Sequence, residues 1–197
     1  MNIGYELEAL SPDDFQKSVI NEKFANKVTF HHSKFEDFQA DKKFDLILES
    51  ESACYINIKE GFLNAREALR DGGYLLASDY FVYFKDTSRS PHLKSSHDLK
   101  KYLASAKENG FELLREYDQT ENTMPTLDYG KYLINRFVEP TIDYISYSSK
   151  KSFPKMALVV GNFIKSKYNL KKHQIDLLDS NLFRKYRKYM IFLFKKI

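Results

Sequence analysis

Two glutamates at the end of an apolar run carry the clearest chemical signal in this sequence. Residues 44–49 (FDLILE) are typical of a strand buried on both faces, and Ser50 and Glu51 follow directly. Open α/β sheets bind ligands beyond the carboxyl ends of their strands. We therefore expect Glu49 and Glu51 to face the cationic part of a ligand or to act as a base. The alternative is a solvated loop with local hydrogen bonds.

Two other polar residues lie close to the ends of predicted strands. Tyr55 follows the same loop and can cover a site or hydrogen-bond an acceptor, although a tyrosine at the start of a helix also serves packing. Asp79 ends the next predicted strand and, by the same positional rule, can approach a substrate. Both are therefore candidates for contact with a small molecule.

The histidines and the single cysteine are assigned no chemistry. His31 and His32 are adjacent on a predicted strand, so their side chains should point to opposite faces, and no second cluster completes a metal site. Cys54 has no neighbouring histidine to activate it, and a single cysteine excludes an intramolecular disulfide framework. We therefore predict no metal centre and expect Cys54 to be a small buried residue.

Strand and helix signals alternate along the first 120 residues. Strands are predicted over 3–10, 27–32, 44–49, 74–79 and 111–117, with helices over 12–26, around 62–69 and over 99–109. This order favours right-handed crossovers and a largely parallel sheet sandwiched by helices. Residues 131–180 are predicted to be mainly helical, with a weak point at Gly130 and breaks near Pro140 and Pro154. A closing strand is predicted over 186–194.

Composition and charge limit the class of protein. The 197 residues are 43% apolar, which suits one globular domain, and the apolar runs are far shorter than the ~20 residues of a membrane helix. The single cysteine and the lack of a charged-then-apolar leader fit a cytoplasmic protein. From Lys131 onward 15 basic residues outnumber four acidic ones, so this C-terminal part can contact an anionic membrane surface or form a solvated helix face. No nucleic-acid-binding motif stands out.

Four stretches, taken together in their order and spacing, resemble class I S-adenosylmethionine-dependent methyltransferases. They are residues 8–13 (EALSPD), 28–38 (VTFHHSKFEDF), 44–52 (FDLILESES) and 65–76 (AREALRDGGYLL). The similarity covers about residues 1–120, and residues 110–127 look like the substrate side of enzymes that methylate sterols, tocopherols or quinones. The resemblance implies an α/β fold in one domain, with a Rossmann-like sheet and helices on both faces. Its parts would be a partial cofactor-binding core (1–120), a mainly helical substrate cap (121–185) and a closing strand (186–197).

The resemblance also implies a cofactor, S-adenosyl-L-methionine, and a small, hydrophobic methyl acceptor. Five residues would contact the cofactor: Glu8 at the ribose, Phe35 and Glu36 at the adenine, and Glu49 and Ser50 at the loop after the apolar run. Two residues, Glu51 and Tyr55, would have catalytic roles. Methyl transfer is an in-line displacement, so these residues would mainly hold and align the reactants.

The usual first strand and glycine-rich cofactor loop of this family are lacking, because only Met1 and Asn2 precede the first predicted strand. In the family that strand lies mid-sheet, so its loss would leave two unpaired hydrophobic edges. We therefore expect an N-terminally truncated chain with impaired activity, poor stability or self-association.

Two other functions stay open. A degenerate, non-catalytic remnant of the fold could serve as an interaction module for a protein partner. A nucleotide-binding oxidoreductase is less favoured, since no Gly-x-Gly-x-x-Gly fingerprint is present. Binding of S-adenosyl-L-methionine or of a nicotinamide cofactor would discriminate among the three.

Overall fold

The chain divides into two compact units, each made of separate stretches of sequence. The computed structural model describes residues 4–24, 27–83, 97–152 and 178–197. The first unit contains Met1–Asp79, Leu99–Glu116 and Ile191–Ile197, and the second contains Tyr80–Asp98 and Tyr117–Met190.

The described residues form six strands and six α-helices. The strands are β1 (Glu8–Leu10), β2 (Thr29–His31), β3 (Phe44–Ser50), β4 (Leu69–Val82), β5 (Phe111–Asp118) and β6 (Arg187–Lys196). The helices are α1 (Asp14–Phe24), α2 (Ile58–Ala68), α3 (Leu99–Glu108), α4 (Thr120–Leu133), α5 (Glu139–Ser152) and α6 (Ser180–Tyr186). Short 3₁₀ turns cover Phe35–Asp37 and Ala53–Tyr55, and a π-helical segment covers Ile134–Val138.

The strands lie in two sheets. β1 and β2 form a parallel pair, and β3, β4, β6 and β5 form a second sheet in that order. β3 and β4 are also parallel, with Leu46 opposite Tyr74 and Leu48 opposite Leu76. β6 runs antiparallel to its neighbours, since Lys196 Nζ reaches the Leu69 carbonyl at the start of β4. The larger sheet is therefore mixed.

An aromatic cluster forms the core of the first unit. The ring of Phe62 on α2 lies 4.9 Å from the ring of Tyr102 on α3, 5.6 Å from Phe111 and 5.8 Å from Phe194. The Tyr102 ring also packs on Phe192, 6.2 Å away. Burial of a phenylalanine side chain stabilises a fold by about 1.5–3 kcal/mol. This cluster therefore holds α2 and α3 on one face of the larger sheet.

The glycine pair of residues 72–73 lies inside β4 and not in a separate turn. The helix α2 ends at Ala68, and Leu69 is already extended and opposite Phe44 of β3. Gly72 has φ +72°, the left-handed conformation expected from the sequence, and it lies within the irregularity between the Phe44–Leu69 and Leu46–Tyr74 pairs. Strand pairing therefore begins five residues earlier than the predicted start at Tyr74.

The second unit is built around the beginning of α4. Asp118 Oδ1 accepts hydrogen bonds from the Thr120 backbone N–H (3.0 Å) and the Thr120 hydroxyl (2.5 Å). The Thr120 oxygen in turn accepts one from the Tyr189 N–H at 3.0 Å, and Lys188 Nζ lies 2.8 Å from Asp118 Oδ2. The pKa of Asp118 is lowered, because burial, which would raise it, is outweighed by the hydrogen bonds from Lys188 and Thr120. These contacts fix α4 against β6.

The helical region deviates from the sequence prediction at one point. α4 continues through Gly130, and the irregularity falls later, at the π-helical residues Ile134–Val138. Pro140 lies in the first turn of α5, where a proline is tolerated. Pro154 lies outside the described residues. In the described part of the chain, no helix has the length and apolar character needed to cross a membrane.

Two glycines give a matched test of the backbone. Gly110 follows α3 with φ +78°, and an added Cβ would lie 1.4 Å from Arg66 Nη1. Gly110→Ala should lower the free energy of unfolding by about 1–2 kcal/mol, the cost of a left-handed non-glycine residue. Gly130→Ala should raise it by about 0.5–1 kcal/mol, because Gly130 is helical and, among the described residues, its Cβ would meet the Leu178 methyls at 3.6 Å. Urea unfolding measures both free energies. Equal effects of the two substitutions would contradict the left-handed conformation of Gly110 and the helical one of Gly130.

Candidate functional site

The loop after β3 has a strained backbone at its predicted catalytic residue. Ser50 pairs with Ser78 of β4, and the Glu51 N–H donates to the Ser78 carbonyl at 2.8 Å. Glu51 has φ +51°, and among the described residues it is the one non-glycine with a positive φ. Such strained residues cost about 1–3 kcal/mol and cluster at functional sites. The strand pairing therefore holds Glu51 in a conformation that the residue would not choose alone.

Asp79 holds the same loop through a hydrogen bond to its backbone. Its side chain is 0% exposed, and its Oδ2 accepts a hydrogen bond from the Cys54 N–H at 2.9 Å. Cys54 belongs to the 3₁₀ turn Ala53–Tyr55, which follows Glu51 by two residues. A hydrogen bond to an ionisable group is among the stronger kinds. Asp79 therefore positions the loop, a role that sequence position alone did not distinguish from substrate contact.

Glu49 is buried beneath the loop and faces the helices. It is 7% exposed, and the Tyr102 hydroxyl donates to its Oε2 over a long 3.4 Å. Burial raises the pKa of Glu49 to about 7; the hydrogen bond from Tyr102 lowers it, while the charges of Asp79 and Glu36 raise it further. Burial and the Glu49 charge also raise the pKa of Tyr102. Glu49 is therefore largely neutral in a mildly acidic solution and only partly charged at neutral pH.

A small cavity adjoins the Glu49 carboxyl. Its volume is about 10 Å³, close to the space of one water molecule and far below the 300–1,000 Å³ typical of organic ligand sites. The lining residues come from β3, the 3₁₀ turn, α2, β4 and α3: Glu49, Ala53, Ile56, Asn57, Ile58, Gly61, Phe62, Leu75 and Tyr102. The space beside the Glu49 side chain is therefore too small to hold an organic ligand in this conformation.

Glu8, the predicted ribose contact, is engaged by two basic side chains. Its Oε2 lies 2.6 Å from His31 Nε2, and its Oε1 lies 2.7 Å from Lys42 Nζ. Burial would raise the pKa of Glu8, but the hydrogen bonds from Lys42 and His31 outweigh it and lower the pKa. Lys42 also pairs with Glu6, and its own pKa is raised by these carboxylates. The ion pairs tie β1 to the chain just before β3.

Phe35 and Glu36, the predicted adenine contacts, lie in the 3₁₀ turn after β2. The Asn64 side-chain amide donates to the Phe35 carbonyl and, at 2.9 Å, to the Phe38 carbonyl. Glu36 Oε1 accepts a hydrogen bond from the Asn57 N–H at 2.9 Å, just before α2. These contacts bring the turn after β2 next to the start of α2.

The predicted residues fall into two contact groups. Glu49, Ser50, Glu51 and Tyr55 share the segment after β3, and Glu36 reaches the residue that caps α2. Glu8 bonds instead to His31 and Lys42. Tyr55 is 83% exposed, so within the described residues its ring covers nothing. The sequence prediction missed Tyr102, whose helix is far away in the chain, and Asn57, whose N-cap signal before α2 could have been found.

Sequence comparison finds no relatives for this chain, whereas structure comparison finds many. No protein-family profile matches the sequence, and no curated protein is similar to it. Solved structures match nearly its whole length. The first example is a protein assigned as a sarcosine dimethylglycine methyltransferase from Galdieria sulphuraria, with a TM-score of 0.66 and 16% identity over 98% of this chain and 70% of that one.

Two more neighbours differ in their named reactions. Geranyl diphosphate C-methyltransferase from Streptomyces coelicolor, solved with Mg²⁺, geranyl diphosphate and S-adenosyl-L-homocysteine, has a TM-score of 0.63 and 13% identity over 98% of this chain and 65% of that one. The cyclase SpnF has a TM-score of 0.58 and 14% identity over 97% of this chain and 66% of that one.

These likenesses show the fold. The chain has the Rossmann-like fold of class I S-adenosylmethionine-dependent methyltransferases, so the fold class predicted from the sequence is confirmed. It spans between 65% and 70% of the length of these three neighbours.

The buried Glu49 carboxyl should make stability depend on pH. Its pKa is about 7 in the fold against 4.5 in its absence, so the folded state holds a proton that the unfolded chain releases between these values. Stability should therefore fall as pH rises through this window, by about 3 kcal/mol from this group. Urea unfolding of wild type and Glu49→Gln at pH 5 and pH 8 should show a stability difference that changes by about that amount. Glu60→Gln on α2 controls for loss of one acid, and an identical change in both variants would contradict the assignment.

Proposed function

We propose that this chain supplies cofactor- and acceptor-binding loops of a methyltransferase that uses S-adenosyl-L-methionine and a small, apolar acceptor. The observation that carries the proposal is the strained Glu51 at the carboxyl end of β3, held between the Ser78 carbonyl and the loop anchored by Asp79. The proposal also draws on the neighbours, two of which are named as methyltransferases.

The residues at the end of β3 fit a cationic ligand unequally. Ser50 and Glu51 are exposed to solvent at the end of β3. Glu49 is buried and only partly charged at neutral pH, so a positive group cannot approach its carboxyl without opening the core. We therefore assign ligand contact to Ser50 and Glu51, and we assign Glu49 the role of supporting the loop from beneath.

The chemistry divides between the cofactor and the chain. When bound, S-adenosyl-L-methionine would supply an electrophilic methyl group on a sulfonium, with a neutral thioether as the leaving group. The Glu51 carboxylate accepts the proton that the acceptor loses, and Tyr55, in the same loop, orients the acceptor through its hydroxyl. The turn Phe35–Asp37 supplies the Phe35 backbone and the Glu36 side chain toward the adenine. Alignment of this kind contributes much of the rate enhancement in such displacements.

The exposed aromatic side chains of the second unit are an argument for an apolar acceptor. Five aromatic side chains of α4, the π-helical segment and α5 are more than half exposed: Tyr129, Tyr132, Phe137, Tyr144 and Tyr147. Rings of this type combine an apolar body with a polar tip and suit apolar ligands or a membrane surface. Geranyl diphosphate, the acceptor named for one neighbour, is an isoprenoid of this chemical class.

Binding of the demethylated cofactor tests the first half of the proposal. S-adenosyl-L-homocysteine should bind the purified chain at one site by calorimetry, and ligand at a hundred times its Kd should stabilise the fold by about 2.7 kcal/mol. Reduced nicotinamide adenine dinucleotide is the control ligand and should give no heat of binding. Absence of binding would favour the interaction-module alternative, and preferential binding of the nicotinamide would favour an oxidoreductase.

Glu51→Gln tests the proton acceptor. Transfer of radiolabelled methyl groups to a panel of isoprenoid diphosphates and quinols should fall by about 10²-fold, the usual contribution of a positioned base. The calorimetric affinity for S-adenosyl-L-homocysteine should change little, because this product lacks the sulfonium charge that Glu51 would face and glutamine retains the size and a hydrogen-bonding oxygen. Glu60→Gln on α2 is the matched control with wild-type transfer. Full activity of Glu51→Gln would remove the base from the proposal.

A further inference from the structure

One side of the long helical segment in the second unit carries exposed aromatic rings. α4, the π-helical segment and α5 follow one another without a break from Thr120 to Ser152. Five rings along this segment are between 54% and 70% exposed: Tyr129, Tyr132, Phe137, Tyr144 and Tyr147. We call these five residues the aromatic stripe.

The spacing of the tyrosines pairs them on the helix surface. Tyr129 and Tyr132 are three residues apart, and so are Tyr144 and Tyr147. Residues at this spacing are neighbours on one side of a helix. The rings of Tyr129 and Tyr132 stack accordingly, with their centroids 6.3 Å apart. Each end of the stripe is therefore a pair of adjacent phenol rings.

The π-helical segment joins the two pairs along one side. Phe137 follows Tyr132 by five residues, a spacing that a regular α-helix would place on different sides. Within the π-helical segment the Glu139 N–H bonds to the Ile134 carbonyl, five residues back, so this turn brings Phe137 toward the side of Tyr132. Tyr144 then follows Phe137 by seven residues, about two α-helical turns. Such π-helical turns occur frequently at functional sites.

Two basic residues extend the aromatic stripe. Arg136 follows Tyr132 by four residues, and Lys151 follows Tyr147 by four, so both lie on the same side of the helix as the rings. Both are exposed, and neither forms an ion pair with the residues that the structure describes. Their charges are therefore available to an anionic partner.

The nearby acidic residues lie away from the stripe. Asp128 and Asp143 each precede a stripe tyrosine by one residue, which is about 100° round the helix. The pKa of Arg184 on α6 is raised by its hydrogen bond to Glu121 and, to a smaller extent, by the charge of Asp128. The charge of Asp128 thus lies toward α6.

We propose that the aromatic stripe lies along the surface of an anionic lipid bilayer, with Arg136 and Lys151 on the lipid headgroups. Tyrosine rings join an apolar body to a polar hydroxyl and concentrate at membrane–water interfaces. Helices that lie in this interface combine an aromatic face with lysine and arginine. The excess of 15 basic over four acidic residues from Lys131 onward adds attraction to an anionic surface.

The geometry favours a bilayer over three other occupants. At about 1.5 Å per residue, Tyr129 and Tyr147 lie about 27 Å apart along the helix, which exceeds the length of one small acceptor. Single-stranded nucleic acids bind in positively charged grooves, whereas the stripe lies on the convex side of a helix. In a symmetric dimer of two stripes, Arg136 of one copy would approach Lys151 of the other, and like charges would meet.

Membrane binding goes beyond the proposed methyl transfer and does not depend on it, because it uses neither Ser50, Glu51 nor Tyr55. The same rings are an argument for an apolar acceptor, and a bilayer is a medium in which such an acceptor dissolves. A chain that binds vesicles without cofactor but transfers no methyl group would keep this proposal and remove the other.

Cosedimentation of the whole chain with lipid vesicles, without cofactor or acceptor, tests the proposal. Vesicles of phosphatidylcholine and phosphatidylserine in equal parts should bind the chain at least about tenfold more tightly than vesicles of phosphatidylcholine alone. Added salt should weaken this binding, because salt screens exposed charges. Hydrogen exchange of α5 amides should slow on the anionic vesicles, while that of α3 amides should stay the same.

A first pair of substitutions tests the rings. Tyr144→Ala/Tyr147→Ala should weaken binding to the anionic vesicles by about tenfold or more, since alanine keeps the helix but removes two interfacial rings. Tyr5→Ala/Phe15→Ala is the matched control. It removes two rings that are 73% and 75% exposed elsewhere in the chain, and it should bind like wild type.

A second pair tests the charges. Arg136→Gln/Lys151→Gln should weaken binding to the anionic vesicles by about tenfold and leave the weaker binding to phosphatidylcholine alone unchanged. Lys17→Gln/Lys23→Gln removes two exposed bases of α1 and should change binding by less than about twofold. Circular dichroism should show wild-type helix content for every variant.

Four results would overturn the proposal. The first is an absence of binding to anionic vesicles by the folded wild-type chain. The second is wild-type binding by either folded stripe variant, since the proposal requires both the rings and the bases. The third is a single-stranded oligonucleotide that displaces the chain from vesicles and that both stripe variants fail to bind, which would assign the stripe to nucleic acid. The fourth is a dimeric chain that becomes monomeric in Tyr144→Ala/Tyr147→Ala, which would assign the stripe to a second copy.

Discussion

The contact between Tyr102 and Phe62 connects the core of the first unit to the loop that carries the candidate site. The Tyr102 ring lies on Phe62 and Phe192, and its hydroxyl donates to the Glu49 carboxyl at the end of β3. Packing of α3 therefore does two things at once. It removes apolar surface from water, and it takes Glu49 out of water, so that burial raises the pKa of that carboxyl.

Two buried acids under one loop receive different support. Asp79 has a backbone N–H at 2.9 Å, whereas the bond from Tyr102 to Glu49 is 3.4 Å long and correspondingly weak. Asp79 bonds to the 3₁₀ turn that ends at Tyr55. Glu49, with the weaker bond, lies beside a cavity of about the volume of one water molecule. The loop is thus held at Cys54 by a hydrogen bond to Asp79 and at Glu51 by a backbone hydrogen bond to Ser78.

Local patterns predicted the bounds of elements that their own residues mark, but not the burial of β3, whose Leu46 and Leu48 are 50% and 62% exposed. The strand over 44–49 and the helix over 99–109 were placed within one residue of β3 and α3, because apolar runs and a terminal glycine mark them. The first strand was overestimated: a strand over 3–10 was predicted, but β1 covers Glu8–Leu10, where Thr29–His31 offers partners. Burial of Glu49 could not be predicted, because the residue that causes it is 53 positions away. The anchoring of Cys54 by Asp79, 25 positions apart, was hidden for the same reason.

The position of β6 in the sheet affects how the protein folds during synthesis on the ribosome. β6 lies between β4 and β5, and its Phe192 and Phe194 are wholly inside the aromatic cluster. When α2, α3 and β5 have emerged from the exit tunnel, the slot between β4 and β5 is still empty and Phe62, Tyr102 and Phe111 lack their main partners. The nascent polypeptide must wait for residues 187–196 before this core can close. The first unit therefore becomes native only after β6 has been translated. A chaperone that shields the earlier rings would act during this interval.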